Sequence, residues 1–336
     1  MGGSWRRVAG VVGATAVVVA GSPVALVIGA GAASAATPFT GSVTSTAVPV
    51  GSEPIGLGVD SGTDTVYVAN NGSNDVSVIN GATDKVTATV PVGSEPYGVA
   101  VDASTDTVYV ANTGSNSVSV VNGATDAVTA TVSVGSEPDW VDVDATTDTV
   151  YVANYASNSV SVINGATDEV AATVSLASGA DPEGVAVDAS TDTVYVADEG
   201  PGTVSVLNGA TDKITATVSV GSDPVGVGLN ASTDTVYVGN YDSNSLSAIN
   251  GATDKVIGTV SVGSHPVGIG VDASAGLVCV ANFGGTTVSV LNGATGKIAA
   301  TLSVGSEPYG LGVYASTETL YVANFGSNTV SVITSS

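Results

Sequence analysis

From residue 43 onward, apolar residues alternate with polar ones in short runs, and every run breaks at a cluster of Ser, Asn, Asp, Gly or Pro. A period of two marks strands that bury one face, and the breaking residues supply turns: Asn and Asp through Asx turns, Gly by tolerating positive φ. In SEPYGVAVDASTDTVYVANTGSNSVSVVNGATDAVTATVSVG, residues 94–135, the alternating runs are 97–102, 107–112, 117–121 and 127–134. The turns around them are SEP, DASTD, NTGSN and NGATD.

The same plan repeats along the chain. Tyr-Val-Ala-Asn or a near variant begins at Tyr67, Tyr109, Tyr151, Tyr195, Tyr237, Cys279 and Tyr321, at a spacing of 42 residues that rises to 44 only between Tyr151 and Tyr195. The extra residues fall in 177–180. Four short antiparallel strands per repeat of roughly 40 residues is the plan of a propeller blade. A parallel β-helix needs a shorter coil, and tandem sandwiches need about 100 residues per unit. The expected fold is all-β: a seven-bladed β-propeller of four-stranded antiparallel blades.

The two ends fit together. The last copy stops after its third strand, at 330–333, while residues 43–50 (VTSTAVPV) match the missing fourth strand and have no blade of their own. This N-terminal strand is expected to close the last blade, removing the open Val/Thr edge that would otherwise invite aggregation.

The remaining residues divide simply. Residues 1–35 carry Arg6 and Arg7, an uncharged Val/Ala/Gly run and the small-residue site Ala33-Ser34-Ala35, the pattern of a secretory signal peptide. The arginine pair is similar to a twin-arginine signal, although Val8 and Ala9 depart from its bulky pair; an uncleaved anchor is the rival reading. Residues 36–42 read as a linker and 43–336 as the propeller. The protein is expected to be secreted or held at the cell surface.

Charge then narrows the partners. Beyond the leader only Lys85, Lys213, Lys255 and Lys297 face thirty Asp and Glu, a net of −26 with no arginine. Such a chain repels nucleic acid and anionic membrane surfaces. One cysteine precludes an internal disulfide, and a lone histidine precludes a His-rich metal site. Cys279 is expected to be a buried small residue, His265 an exposed turn residue, and the lysines a solvated rim. The recurrent pairs such as Asp102/Asp106 flank a tight turn and read as turn caps.

The Tyr-Val-Ala-Asn cores and the Pro-x-Gly-Val-x-Val-Asp strand resemble the YVTN-type β-propeller repeats of surface-layer and secreted proteins. The resemblance covers 43–336, with Asp198, Gly239 and Cys279 as departures. It implies an extracellular propeller on a superfold that also hosts lactonases, lyases and plain binding platforms.

Function should lie where the copies differ. On such a ring the SEP and NTGSN turns share one face, which opens onto the central channel. After the SEP proline stand Ile55, Tyr97, Asp139, Glu183, Val225, Val267 and Tyr309. After the strand-ending asparagine stand Asn71, Thr113, Tyr155, Glu199, Tyr241, Phe283 and Phe325. Tyr97, Trp140, Tyr155, Tyr241, Phe283, Tyr309 and Phe325, with Asp139 and Glu183, form the candidate ligand-binding face. Aromatic rings suit a cell-envelope glycan or an extracellular protein. The third copy is the outlier, with Asp139-Trp140-Val141-Asp142. Asp142 replaces the Gly or Ala of the other copies, and Asp139, Asp142 and Glu183 offer oxygen ligands to a hard cation such as Ca²⁺. Hydrated acids in a wet channel are the plainer reading, so no cofactor and no catalytic residue is expected. The leading expectation is a non-enzymatic binding or structural module. The alternative is a metal-dependent, lactonase- or lyase-like enzyme with a channel-mouth cation.

Overall fold

The computed structural model describes residues 43–335; the leader and linker readings fall outside the described residues. Seven four-stranded antiparallel sheets follow one another around a ring, each built from consecutive strands except the last. In the second blade the strands are Pro96–Asp102, Thr107–Asn112, Ser117–Asn122 and Ala127–Ser133, within one residue or so of the alternating runs. The first strands of neighbouring blades pack on one another and so line the axis, while the fourth strands form the rim. Two short 3₁₀ turns are the only helical elements among the described residues.

The last blade closes as the sequence predicts. Val43–Pro49 pairs antiparallel with Thr329–Ser335, from Val43 opposite Ser335 to Pro49 opposite Thr329. Val48 is buried against Val330, Val332 and Tyr321, which also pack on the first blade through Val66 and Val68.

The core lies between blades. Tyr67, Ala69, Val76 and Val78 of the first blade pack on Val99, Val108, Val110 and Val121 of the second, and the pattern recurs round the ring. Second and third strands are therefore buried on both faces, and fourth strands mostly exposed. Each fully buried Val, Leu or Ile contributes about 1.5–3 kcal/mol.

Two local features position the channel side chains. Each first strand carries a bulge after its proline, for example between Pro96 and Val99, which re-aims the intervening residue. The glycine that follows lies against the next blade: a Cβ on Gly184 would come 2.1 Å from the Val225 carbonyl oxygen, and one on Gly226 1.8 Å from that of Val267. Six of the seven inner strands have glycine at this position, and the third has Trp140.

The tyrosine of the second strand joins neighbouring blades on the opposite face. The Tyr67 hydroxyl donates to the Gly123 carbonyl at 3.5 Å, and Tyr237 to Gly293 at 3.4 Å. In the sixth blade this tyrosine is Cys279. Its hydroxyl would have to reach a third-to-fourth-strand turn in the seventh blade. Among the described residues that blade has no such turn, because its fourth strand is Val43–Pro49, paired with Thr329–Ser335. The departure follows from the closure.

Candidate functional site

The bulged position after each proline points to the axis. Ile55, Tyr97, Val225, Val267 and Tyr309 form one apolar cluster with Ala281 and Phe283, and Trp140, Tyr241 and Phe325 pack on its edge. The Tyr97 hydroxyl meets the Tyr309 hydroxyl and donates to Glu183 Oε1 at 3.3 Å. These residues belong to the second, seventh and fourth blades, so the contacts cross the channel. The mouth on this face is filled by side chains.

The rings interlock edge to face. Tyr97 meets Trp140 at 5.9 Å and Tyr309 at 5.7 Å, and Phe283 meets Tyr309 at 5.5 Å and Phe325 at 6.3 Å between centroids. Such offset geometries suit the ring quadrupoles. His265 stacks on Tyr241 at 4.4 Å. The histidine read as an exposed turn residue is thus half-buried against the aromatic patch.

The candidate residues divide by depth. Tyr97, Asp139, Glu183, Phe283 and Tyr309 are buried, whereas Trp140, Tyr155, Tyr241 and Phe325 are half-buried and present part of their surface outward. The patch offers a partner the second group, supported from beneath by the first. The display of exposed rings read from the sequence is therefore shallower than expected, because channel space draws several rings inward.

The acids of the third and fourth blades are engaged with protein donors. Asp139 Oδ1 accepts from the Thr113 hydroxyl at 3.3 Å, and Glu183 from Tyr97. Asp142 accepts the Val143 amide at 2.9 Å and, across the blade boundary, the Val187 amide at 2.8 Å. Loss of hydration pushes its carboxyl up to about 6, against the lowering effect of those two amides. Among the described residues no three His, Cys, Asp or Glu side chains converge to hold a metal. Asp139, Asp142 and Glu183 thus each accept hydrogen bonds from different protein donors. Cys279 is buried, and burial pushes its thiol up to about 12, which leaves no thiolate to act as a nucleophile at neutral pH.

The recurrent aspartates behave as turn caps. Asp102 Oδ1 accepts the Ser104 amide at 2.8 Å, and Asp60 and Asp144 make the equivalent bonds to Gly62 and Thr146. Asp106, Asp148 and Asp192 hold the positive φ at the end of the same turn.

Two features escape the sequence reading. The SEP residues Glu53, Glu95, Glu137, Asp181, Asp223 and Glu307 ring the patch half-buried, all at φ between 47° and 56°. Four are fixed through their amides by an asparagine of the preceding blade, as Glu95 N is by Asn74 Oδ1 at 2.7 Å. The signal available in the sequence was the acid that directly precedes the proline in six of the seven copies. Beside them, between the fourth and fifth blades, opens a cleft of about 620 Å³ lined by Glu199, Pro201, Asp223, Asp242 and Ser243. It forms where Glu199-Gly200-Pro201-Gly202 replaces the usual second turn, next to the insertion at 177–180.

These features define a seven-bladed β-propeller whose channel is capped on one face by aromatic and acidic side chains. No family model matches the sequence, and neither does any curated protein. Solved structures do match in shape. A chain of Kuenenia stuttgartiensis hydrazine synthase superposes with a TM-score of 0.76 at 19% identity, over 84% of this chain and 95% of that one. The Cps50 (Swd1) β-propeller domain of Myceliophteria thermophila superposes with a TM-score of 0.74 at 10% identity, over 88% of this chain and 100% of that one. Identities this low carry the fold and not an activity.

Proposed function

We propose that this propeller is an exported, non-enzymatic binding or structural module of the cell envelope that presents its aromatic-capped face to a glycan or protein partner. The observation that carries the reading is the half-buried group Trp140, Tyr155, Tyr241 and Phe325, three of them seated on a rigid apolar cluster at the channel mouth. Rings held in this way offer area at small entropic cost, the property that favours aromatics in recognition. Export rests on the leader pattern, and the envelope setting on the resemblance to YVTN-type repeats. The lactonase-like alternative needs a cation among Asp139, Asp142 and Glu183, and their hydrogen bonds give it no support.

The test is retention on isolated cell-envelope material from the producing organism. Replacing Trp140, Tyr155, Tyr241 and Phe325 by Ala should reduce retention at least tenfold with the fold intact. Undiminished retention of the variant would refute this face.

A further inference from the structure

We infer that the face opposite the aromatic cap carries equivalent calcium sites, one at each boundary between successive blades from the first to the fifth. At the first boundary the inner-strand Asp60 meets two turns of the second blade, which bring Asp106 and Asp126. The Asp106 carboxyl lies at hydrogen-bonding distance from that of Asp60. A Cβ added at Gly123 would run into both Asp106 Oδ1 and the Tyr67 hydroxyl, so these two atoms border one small space. Burial, then the charges of Asp106, Asp126 and Asp60, push the Tyr67 hydroxyl up, so all three carboxylates bear on that point. Tyr109, Tyr151 and Tyr195 each stand before the three corresponding aspartates.

Turn capping uses one oxygen of each inner-strand aspartate and leaves the other. The Oδ2 atoms of Asp60, Asp102, Asp144 and Asp188 belong to side chains no more than 1% exposed and have no hydrogen-bond donor. Across each boundary, Oδ1 of Asp126, Asp168, Asp212 and Asp254 is likewise buried without one. Anionic oxygens left so are costly, and native proteins give them partners. Ca²⁺ accepts carboxylate, backbone carbonyl and water oxygens in a flexible shell. At the first boundary Asp60 and Asp106 would hold it directly, with the Gly123 carbonyl that lies 3.5 Å from the Tyr67 hydroxyl, and Asp126 would balance charge through water. Two direct carboxylates suffice, so the site needs no converging trio of acids. Asp106 and Asp126 are half-buried, which leaves a path from solvent.

The other boundaries act as internal controls. Between the fifth and sixth blades all three acids are replaced together, by Asn230, Gly276 and Gly296, although Tyr237 remains. Burial alone raises that tyrosine. Cys279 replaces the tyrosine at the next boundary, and Tyr314 the inner-strand aspartate at the last. Among the described residues, neither Asp272 nor Asp84 at these two boundaries carries a buried oxygen without a donor. Turn capping does not explain a change of all three acids as a set, because Asn230 still accepts the Ser232 amide at 3.1 Å.

Equilibrium dialysis of the full chain, stripped with EGTA, against radiolabelled Ca²⁺ at about 0.15 M salt tests this. Uptake should approach about four ions per chain, with dissociation constants of about 0.1–1 mM. About 5 mM Ca²⁺ should raise the thermal midpoint by several degrees, and Mg²⁺ by much less. Asp102→Asn keeps the turn cap, as Asn230 does, and should remove one ion. Adding Asp60→Asn, Asp144→Asn and Asp188→Asn should remove most of the uptake and the thermal shift. The equal charge change on the capped face, Glu53→Gln with Glu95→Gln, Glu137→Gln and Glu307→Gln, should leave both unchanged. Should the fourfold Asn variant not fold, the loss of one ion in Asp102→Asn decides the question. No uptake, equal stabilisation by Mg²⁺, undiminished uptake by Asp102→Asn, or equal losses in the two fourfold variants overturns the inference.

Discussion

Asp142 carries a carboxylate where the other six inner strands have glycine or alanine. It holds the fourth blade through the Val187 amide, yet burial disfavours its charge and raises it to about 6. Because the folded value lies above the unfolded value of about 3.9, the native state takes up a proton between about pH 4 and 6. Stability should therefore rise as pH falls through that window and be lost again above it. Measured by chemical denaturation, the wild type should gain up to about 2 kcal/mol relative to Asp142→Ala between pH 7 and pH 4, less than the full shift because the group is partly exposed. A difference that does not change with pH would contradict this. The glycines make a second residue-scale prediction. Gly226→Ala, which brings a methyl against the Val267 carbonyl, should cost about 2–3 kcal/mol in the same assay. Gly179→Ala meets nothing within 4 Å, so its cost should reflect only its φ of 75°. Equal losses at the two sites would show that inter-blade contact is not the cause.

At the scale of strands, the closing segment and the cysteine report on each other. Val48→Asp places a charge at a site only 3% exposed and should cost about 3 kcal/mol or more. Cys279 sits in the core between the sixth and seventh blades, with Leu302, Leu320 and Ile333. Its labelling by a thiol reagent should thus be slow in the wild type and accelerate strongly when residues 43–49 are removed. Unchanged labelling would mean that the strand does not lock the ring. Most of this level was legible beforehand: the spacing of Tyr67 to Tyr321 gave blade number, and alternation placed strands within a residue or two. The VTSTAVPV segment foretold closure because it lacked any other partner. Side-chain depth was not legible. Tyr97 and Tyr155 both read as variable face residues, but a bulge turns one to the axis and the other stands at a turn. Nor could spacing show that Asp139, Asp142 and Glu183 would each find a separate hydrogen-bond donor. The cleft was hidden for a similar reason, since it arises from a turn change and an insertion acting together.

The whole molecule is a stack of nearly equivalent inter-blade cores closed on itself, so stability is spread round the ring while difference is concentrated on one face. The opposite turns keep nearly one sequence. The capped face carries the rings, the acidic SEP residues and the altered fourth blade. The measurement that tests this most directly is amide hydrogen exchange of the full chain with and without isolated cell envelope. Protection confined to the SEP and second-turn segments, such as 52–56, 137–141, 155–158 and 241–244, is the result expected. Protection confined instead to the DASTD and NGATD turns, or to the outer strands, would place the partner elsewhere and contradict the account.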